Sequence, residues 1–325
     1  MLSLGKLLEL TLAGREPAQQ TQMTVAGTRL RWLAEGALEV TPSVARDCGL
    51  DLLLSAGLHG NETVPVALLD ELIHAIARGE LQPRARVLFL FGSPGALRRG
   101  GRYLEQDLNR LFCGGHELSS GPDAIRAGEL ERLADAFFAQ PGRARLHYDL
   151  HTSVRASAIG PFAISPWHES ASPSRAQLAR LATLGMRGVL YHRAEVPTFS
   201  GYSRQHLGVD AFNLEMGNLP ASHGFYTALE QRLRGLIQGE GALPDESLAD
   251  ELQPFRVVRE IVKHSDAFQW RLGEGIEHFS ELPRGTLLAV DEATRWLVEE
   301  QGERLVLPSA RVRNGMRAGL VVVPL

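Results

Sequence analysis

Hydrophobic positions along the chain follow two periods, and their order predicts strands alternating with helices. Residues 51–57 form a nearly continuous apolar run ending at a glycine, which predicts a buried strand. Residues 86–92 (RVLFLFG) form a second such run. Between them, apolar residues recur at helical spacing, with a proline in the first turn and a glycine after the last: Val64, Leu68, Leu69, Leu72, Ile73 and Ile76. A strand, a helix and a strand in succession favour a parallel or mixed sheet covered by helices.

The same reasoning predicts further elements on both sides of this unit. Two short strands separated by a glycine turn are expected between about residues 22 and 40. Further helices are expected at 123–139, 173–185 and 224–238, and further strands at 145–150, near 189 and at 211–217. The predicted fold class is therefore α/β, with a mixed central sheet flanked by helices.

The pattern changes after the acidic stretch at residues 239–254, GEGALPDESLADELQP. The residues that follow form short β-rich segments punctuated by glycine and proline. We therefore predict two domains. The first is a large α/β domain over residues 1–248 with an N-terminal strand extension, 1–50, and the second is a small β-rich domain over residues 249–325.

Composition and charge indicate an ordinary globular enzyme-sized protein. The 325 residues are 44% hydrophobic and 22% charged, with a formal net charge of −4. The arginines are scattered, so the sequence shows no basic patch for nucleic acid or for an anionic membrane. Neither class of partner is expected.

Cysteine usage and the start of the chain limit the chemistry and the compartment. The two cysteines, Cys48 and Cys113, argue against a disulfide scaffold and against a zinc site built from thiolates. The first residues are interrupted by charges at Lys6 and Glu9, so they resemble neither a signal peptide nor a membrane span. The expected compartment is the cytoplasm.

The stretch GLHGNETVP at residues 57–65 places His59 and Glu62 where the predicted strand leads into the predicted helix. Side chains three residues apart at such a turn can point the same way, and imidazole and carboxylate are both zinc ligands. Taken alone, the pair is better explained by a polar loop in which Glu62 starts a helix.

A third ligand is available in DLHTS, residues 149–153, where His151 ends a predicted strand. In open α/β sheets, ligands bind at the carboxyl ends of the strands, so His59 and His151 meet if their strands are neighbours. His147 and His151 are also spaced as on one helix face. The alternation of Leu146, Tyr148 and Leu150 favours a strand, which makes His147 structural.

Cationic and acidic residues cluster in and before DLNRLF, residues 107–112. Arg110 can bind a carboxylate bidentately, Asn109 adds an amide donor, and Arg102 is a second candidate cation. Asp107 could orient a metal-bound histidine through its second ring nitrogen. The alternative is a solvated, charged loop. A solvated loop is also the favoured interpretation for Tyr202 and Arg204, which precede Glu215 in a Gly/Ser-rich stretch and could otherwise line the pocket.

Glu215 lies inside the apolar, strand-like run Phe212, Leu214, Met216. A buried carboxylate is costly unless it pairs with a cation or accepts hydrogen bonds, so an unpaired one indicates a functional role. Next to a zinc ion, such a group is suited to act as a general base and then as a proton donor to a leaving amine.

These motifs, in this order, resemble the zinc carboxypeptidase superfamily in its branch of succinylglutamate desuccinylases and aspartoacylases. The resemblance is carried by HxxE at 59–62, DLNR at 107–110, DLH at 149–151 and Glu215 followed by Gly217, and it spans about residues 50–218. The trailing β-rich segment also suits the branch. Within it, GLHGNETVPVALLDEL, DLHTS and the N-terminal extension of about 50 residues are more similar to the desuccinylases than to the aspartoacylases.

The resemblance implies a zinc carboxypeptidase-like fold, one Zn²⁺ per chain and hydrolysis of a linear amide. It implies His59, Glu62 and His151 as zinc ligands, Glu215 as acid/base, Arg102 as oxyanion stabiliser, Asn109 and Arg110 as substrate carboxylate ligands and Asp107 as partner of His59. The implied substrate is a small acidic N-acyl amino acid, N2-succinyl-L-glutamate. Alternatives are N-acetylaspartate, another N-acyl amino acid, or a non-catalytic carboxylate-binding role. The sequence does not determine the oligomeric state.

Overall fold

The computed structural model describes residues 2–153, 155–168, 172–217, 223–240, 245–273 and 275–325. The α-helices in these ranges are α1 Leu7–Ala13, α2 Thr63–Arg78, α3 Pro94–Arg99, α4 Pro122–Phe138, α5 Arg175–Thr183, α6 Phe199–Gln205 and α7 His223–Ile237. The strands are β1 Thr21–Met23, β2 Arg29–Ala34, β3 Ala37–Thr41, β4 Leu50–Ala56, β5 Arg86–Phe91, β6 Ala144–His151, β7 Phe162–Ser165, β8 Gly188–Tyr191, β9 Asp210–Glu215, β10 Gln253–Val262, β11 Gln269–Trp270, β12 Leu287–Asp291, β13 Thr294–Leu297, β14 Arg304–Val306 and β15 Arg317–Pro324.

A large mixed sheet organises the chain, which confirms the predicted fold class. In the described residues its strand order is β1-β2-β3-β5-β4-β6-β9-β7-β8-β10-β15-β14. The strands β5, β4, β6 and β9 at its centre run parallel to one another. Carboxyl ends of neighbouring parallel strands meet at one edge of the sheet, and this edge is where ligands are expected to bind.

Helices cover both faces of the central strands. Leu52 and Leu54 of β4 pack into one hydrophobic cluster with α2 and α7, while Leu53 packs into a second cluster with α4 and α6. Successive side chains of a strand point to opposite faces, so a strand buried on both faces is largely apolar, and the two polar residues of β4, Asp51 and Ser55, are hydrogen-bonded. This is why β4 has a continuous hydrophobic run rather than an alternating pattern.

The N-terminal extension and the C-terminal segment both continue the large sheet. In the extension, β1–β3 add antiparallel strands next to β5, and α1, which the sequence pattern did not predict, packs with its neighbours in the core. In the C-terminal segment, β10 pairs in parallel with β8 and antiparallel with β15. Strands β11–β13 form a separate small antiparallel sheet. The segment is β-rich as predicted, and the boundary between residues 248 and 249 stays a prediction.

The structure also contains short elements that periodicity did not predict, among them α3, α6 and β7. A helix of six or seven residues spans fewer than two turns, which is too short to display a clear periodic stripe. Among the described residues, the structure has no helix with the length and apolar character needed to cross a membrane.

Candidate metal centre

The predicted ligands lie at the carboxyl ends of adjacent parallel strands. Strand β4 is hydrogen-bonded to β6, and β6 to β9. Within this register His151, the last residue of β6, is the direct partner of Glu215, the last residue of β9. His59 follows β4 by three residues. The sheet therefore brings together residues that are more than 150 positions apart in the sequence.

The side chains of His59, Glu62 and His151 converge on one point. Their potential ligand atoms all lie within 4.8 Å of one another. The Glu62 carboxylate lies between the two imidazoles, with Oε1 2.7 Å from His59 Nδ1 and Oε2 3.1 Å from His151 Nδ1. All three residues are buried. Two imidazole nitrogens and a carboxylate oxygen form the protein-derived ligand set of many catalytic zinc sites, so this cluster could hold one metal ion.

Local backbone requirements explain the glycines around His59. Gly57 leaves β4 with a φ of +68°, a conformation that favours glycine. A Cβ atom on Gly60 would overlap the backbone of Ala96 and Leu97 in α3. The turn itself is closed by a 3.1 Å hydrogen bond from the Glu62 N–H to the His59 carbonyl. Gly60 is thus required because α3 lies very close to the turn that carries His59 and Glu62.

Each histidine contacts a second carboxylate through its other ring nitrogen. His59 Nε2 lies 3.0 Å from Asp107 Oδ1, and His151 Nε2 lies 2.8 Å from Asp149 Oδ2. These contacts hold the rings so that both Nδ1 atoms face Glu62. Carboxylates that orient metal-ligating histidines in this way are a recurrent feature of metal sites.

Asp149 was not assigned a role from the sequence, although a signal for it was present. Residues two apart on a strand share one face of the sheet, so Asp149 necessarily lies beside His151 once residues 144–151 form a strand. Its other oxygen, Oδ1, accepts a 2.6 Å hydrogen bond from Ser55 on β4. Asp149 is therefore held from both sides.

The electrostatics of the cluster favour a cation. Burial opposes the ionisation of Glu62, but the imidazoles of His59 and His151 outweigh it and hold the pKa of Glu62 well below its usual range. The pKa values of Asp107 and Asp149 are also lowered, against the effect of burial, chiefly by His59 and His151 respectively. Against the opposing effect of burial, Glu62 and Asp107 raise the pKa of His59, and Asp149 and Glu62 raise the pKa of His151. A metal ion that replaces the imidazole protons would face three ionised carboxylates, which suits a divalent cation.

Glu215 lies at the same edge of the sheet and is buried. No residue in the described ranges forms a hydrogen bond with its carboxyl group. Burial raises the pKa of Glu215, while the charge of His151 partly offsets this. A carboxyl group with a raised pKa near a metal centre can both accept and donate a proton close to neutral pH.

Asn109 is fixed by the protein rather than exposed in a loop. It is buried, and its Oδ1 accepts a 2.9 Å hydrogen bond from the Phe199 N–H at the start of α6. Its Nδ2 lies 3.5 Å from His151 Nε2. The amide group is thus positioned next to the candidate metal centre.

The two arginines flank the acidic residues of the cluster. Arg102 Nη1 lies 3.5 Å from Glu62 Oε1, and Arg102 Nη2 lies 3.5 Å from Asp107 Oδ2. Arg110 donates a 2.7 Å hydrogen bond to the Asn109 carbonyl. The Arg102 side chain is 47% exposed, so it has room to move from these carboxylates towards an incoming anion.

Two sequence interpretations concern residues outside this cluster. The strand interpretation of His147 is confirmed, since it lies in β6 with its ring between Ser55 and Ser203. The loop interpretation of Tyr202 and Arg204 is wrong. Both residues lie in α6, where Tyr202 donates a 2.7 Å hydrogen bond to Asp135 and Arg204 pairs with Asp210 at 2.7 Å.

The family was decided by comparison with known proteins. The model of the succinylglutamate desuccinylase/aspartoacylase catalytic domain matches residues 48–238, and that of the AstE/AspA barrel-sandwich hybrid domain matches residues 250–325. The chain belongs to the succinylglutamate desuccinylase/aspartoacylase family. This confirms the resemblance inferred from the motifs and makes the chain a member of a family of hydrolases.

Two proteins named succinylglutamate desuccinylase resemble the chain over nearly its whole length. A protein named succinylglutamate desuccinylase from Pseudomonas fluorescens (strain Pf0-1) is 57% identical, with 100% of this chain and 98% of the relative covered. The solved succinylglutamate desuccinylase from Chromobacterium violaceum is 35% identical, with a TM-score of 0.86 and 99% and 98% of the two chains covered. Murine aminoacylase 3, at 21% identity, a TM-score of 0.59 and 85% and 96% coverage, shares the fold.

Proposed function

We propose that this chain hydrolyses the amide bond of N2-succinyl-L-glutamate to succinate and L-glutamate, using one zinc ion held by His59, Glu62 and His151. The observation that carries the proposal is the convergence of these three side chains within 4.8 Å. It occurs in a chain that matches curated relatives named succinylglutamate desuccinylase over its full length.

The donor set fits zinc in both composition and charge. Two neutral imidazoles and a carboxylate leave one coordination position open for substrate or water. A zinc ion bound there supplies Lewis acidity, which polarises an amide carbonyl and lowers the pKa of a bound water from about 16 to about 7. Asp107 and Asp149 orient the two histidine rings for this role.

Glu215 is the proposed acid/base. Its carboxyl group has no hydrogen-bond partner among the described residues, and its buried position raises its pKa. As a carboxylate it accepts the proton of the attacking water. As the resulting acid it donates this proton to the departing glutamate nitrogen, so that one group serves both halves of the reaction.

The remaining cations and the fixed amide bind the charged parts of the substrate. Arg102 is the proposed stabiliser of the oxyanion that develops at the scissile carbonyl. Loss of a preorganised donor to an oxyanion typically lowers kcat by a factor of about 100 to 1000. Arg110, with the Nδ2 group of Asn109, is the proposed ligand of a substrate carboxylate.

The test is a comparison of kcat/KM for N-succinylglutamate and N-acetylaspartate with the zinc-loaded protein. We expect N-succinylglutamate to be the better substrate. Folded, zinc-loaded protein that leaves it intact would contradict the proposal, and a preference for N-acetylaspartate would assign the chain to the aspartoacylase activity of the family. A non-catalytic carboxylate-binding role predicts no turnover of either compound.

A further inference from the structure

A histidine of the C-terminal segment, His278, contacts the residues that follow the candidate ligand His151. It lies between β11 and β12 and is 2% exposed. Its ring nitrogen Nε2 is 2.6 Å from the hydroxyl oxygen of Ser153, two residues beyond the end of β6. A direct hydrogen bond therefore joins the C-terminal segment to the chain that leaves the candidate metal centre.

Backbone hydrogen bonds attach His278 to the same stretch of chain. The His278 N–H donates to the Ala156 carbonyl at 2.9 Å, and the His278 carbonyl accepts from the Ala158 N–H, also at 2.9 Å. These two bonds form a parallel bridge between His278 and Ser157. The imidazole is thus carried on a backbone that is itself bound to the segment it contacts.

The direction of each hydrogen bond at the His278 ring follows from its partners. The Leu307 N–H donates to Nδ1 at 3.2 Å, so this nitrogen carries no proton. Burial lowers the pKa of His278 to about 4, with the charge of Arg155 acting in the same direction, so the ring is neutral near pH 7. A neutral imidazole has one N–H, which is then at Nε2 and donates to Ser153.

Two residues next to His278 adopt a backbone conformation that is unfavourable for residues with a Cβ atom. Phe279, which follows it, has a φ of +64°, and Leu307, the donor to its Nδ1, has a φ of +53°. Such conformations persist only where the surrounding structure enforces them, and they occur preferentially at functional sites. The position of the His278 ring is therefore maintained against backbone strain.

Ser153 connects this histidine to the candidate metal centre. Its hydroxyl oxygen accepts a second hydrogen bond, from the Arg155 N–H at 3.1 Å. Immediately before it, the Thr152 N–H donates a 2.9 Å hydrogen bond to Oε2 of Glu62. Because the chain leaves the sheet after His151, the hydrogen bonds of Ser153 help to fix where the Thr152 N–H lies.

We propose that His278 is a positioning residue for the metal centre, because it holds Ser153 and thereby keeps the Thr152 N–H on the carboxylate of Glu62. This inference rests on the proposed function, since it requires a metal ion at the three candidate ligands. The α/β domain supplies these ligands, and the C-terminal segment supplies one of the groups that orient them.

The hydrogen bond from Thr152 acts on the carboxylate that lies between the two imidazoles. Oε2 of Glu62, which accepts it, is also the atom 3.1 Å from His151 Nδ1. A donor on this oxygen restricts rotation of the carboxylate and so keeps it directed at the ion. Loss of a group that orients a metal ligand typically lowers metal affinity about 10- to 100-fold.

The experiment measures zinc affinity, by competition with a chelator, in two matched variants of His278. Asparagine can accept from the Leu307 N–H in place of Nδ1, but its side chain is too short to reach Ser153. Glutamine places an amide N–H near the position of Nε2 and can donate to Ser153, but it loses the bond to Leu307. His278→Asn should weaken zinc binding about 10-fold, whereas His278→Gln should stay within a factor of about three of the wild type.

Ser153→Ala should weaken zinc binding as much as His278→Asn does, and it carries the test if His278→Asn does not fold. The double variant should bind zinc no more weakly than either single variant, because both substitutions remove the same hydrogen bond. Ser157→Ala is the matched control, since the Ser157 hydroxyl has no hydrogen-bond partner within the described part of the chain. Thermal unfolding of the zinc-free variants separates a loss of zinc affinity from general destabilisation.

Wild-type zinc affinity in Ser153→Ala or in a folded His278→Asn would overturn the inference, and so would additive losses in the double variant. An equal loss in His278→Gln and His278→Asn would also overturn it, by showing that the ring acts through the fold of its own segment rather than through Ser153. Turnover of N-succinylglutamate by the zinc-loaded wild type tests the proposed function separately. Its absence would contradict that function, while the zinc affinities of the variants still decide the role of His278.

Discussion

Asp149 and His151 lie two residues apart on β6, and Asp149 Oδ2 is 2.8 Å from His151 Nε2. This contact leaves only His151 Nδ1 to face Glu62 and a metal ion. Ser55 on the neighbouring strand donates a hydrogen bond to the other oxygen of Asp149. The orientation of this candidate metal ligand thus depends on the strand register as well as on the histidine itself.

Asp149→Asn should weaken zinc binding about 10- to 100-fold, as is typical when a carboxylate behind a metal-bound histidine is replaced. Asparagine has the same shape but does not stabilise the imidazole electrostatically. The measurement is competition with a chelator of known affinity. Asp266→Asn, at an exposed position, is the control. Equal zinc affinity in the two variants would show that Asp149 does not support the ligand.

Removal of zinc should lower the thermal unfolding temperature, because a ligand that binds only the folded protein stabilises it by about 4 kcal/mol at a free concentration 1000 times its Kd. His59→Ala and His151→Ala should bind less than stoichiometric zinc and should lose this shift. Metal analysis and thermal unfolding with and without zinc test this expectation. A stoichiometric zinc content in both variants would place the metal elsewhere.

Glu215→Gln should retain zinc and lower kcat by about 100- to 10 000-fold, the usual range for a general acid/base. Glutamine preserves the size of the side chain but cannot accept the proton of water. Zinc content and kcat are measured on the same preparation. If the variant binds zinc and turns over substrate at the wild-type rate, Glu215 is not the base.

Gly60→Ala should destabilise the fold by about 1–3 kcal/mol, the usual cost of overpacking, and should also weaken zinc binding. The added Cβ would overlap the backbone of Ala96 and Leu97 and push the His59 loop away from α3. Gly101→Ala is the matched control, because its nearest contact would be an ordinary 3.6 Å from the Tyr103 carbonyl. Chemical unfolding distinguishes the two, and equal stabilities would mean that α3 yields to the extra atom.

Stability should fall as the pH drops below about 6.5, in part because His147 is buried as a neutral group. Ser55 already donates to Asp149, so it accepts from His147 Nε2, and His147 Nδ1 accepts from Ser203. Burial lowers the pKa of His147 from 6.5 to about 4, with His151 adding to the shift and Asp149 opposing it. Between pH 4 and pH 6.5, His147 therefore binds a proton in the unfolded chain but not in the folded protein.

The difference corresponds to about 3 kcal/mol of stability, present above pH 6.5 and lost as the pH falls to about 4. Chemical unfolding at several pH values measures the loss. His147→Gln should be less stable at neutral pH, since glutamine cannot reproduce both hydrogen bonds. Its stability should depend less on pH over this range, and an equally steep dependence would show that other groups dominate acid unfolding.

Much of this protein follows from local sequence. The apolar run of β4 and the helical spacing of α2 identify these elements because each is long and buried, so that burial imposes a clear period. The candidate site residues His59, Glu62, His151 and Glu215 can be recognised from their residue types and their order along the chain. Short elements such as α6 could not be predicted, because their stability comes from packing against β6 and β9 rather than from their own pattern.

The sequence by itself determined the fold class, the candidate ligand residues and the family, since these depend on periodicity and on the chemistry of particular side chains. Only the tertiary structure showed which side chains orient the candidate ligand residues. The parallel register of β4, β6 and β9 placed Asp149 between Ser55 and His151. The pairing of β10 with β8 and with β15 joined the C-terminal segment to the large sheet. Contacts between residues distant in sequence are set by how sheets pair and helices pack, and no local pattern records them.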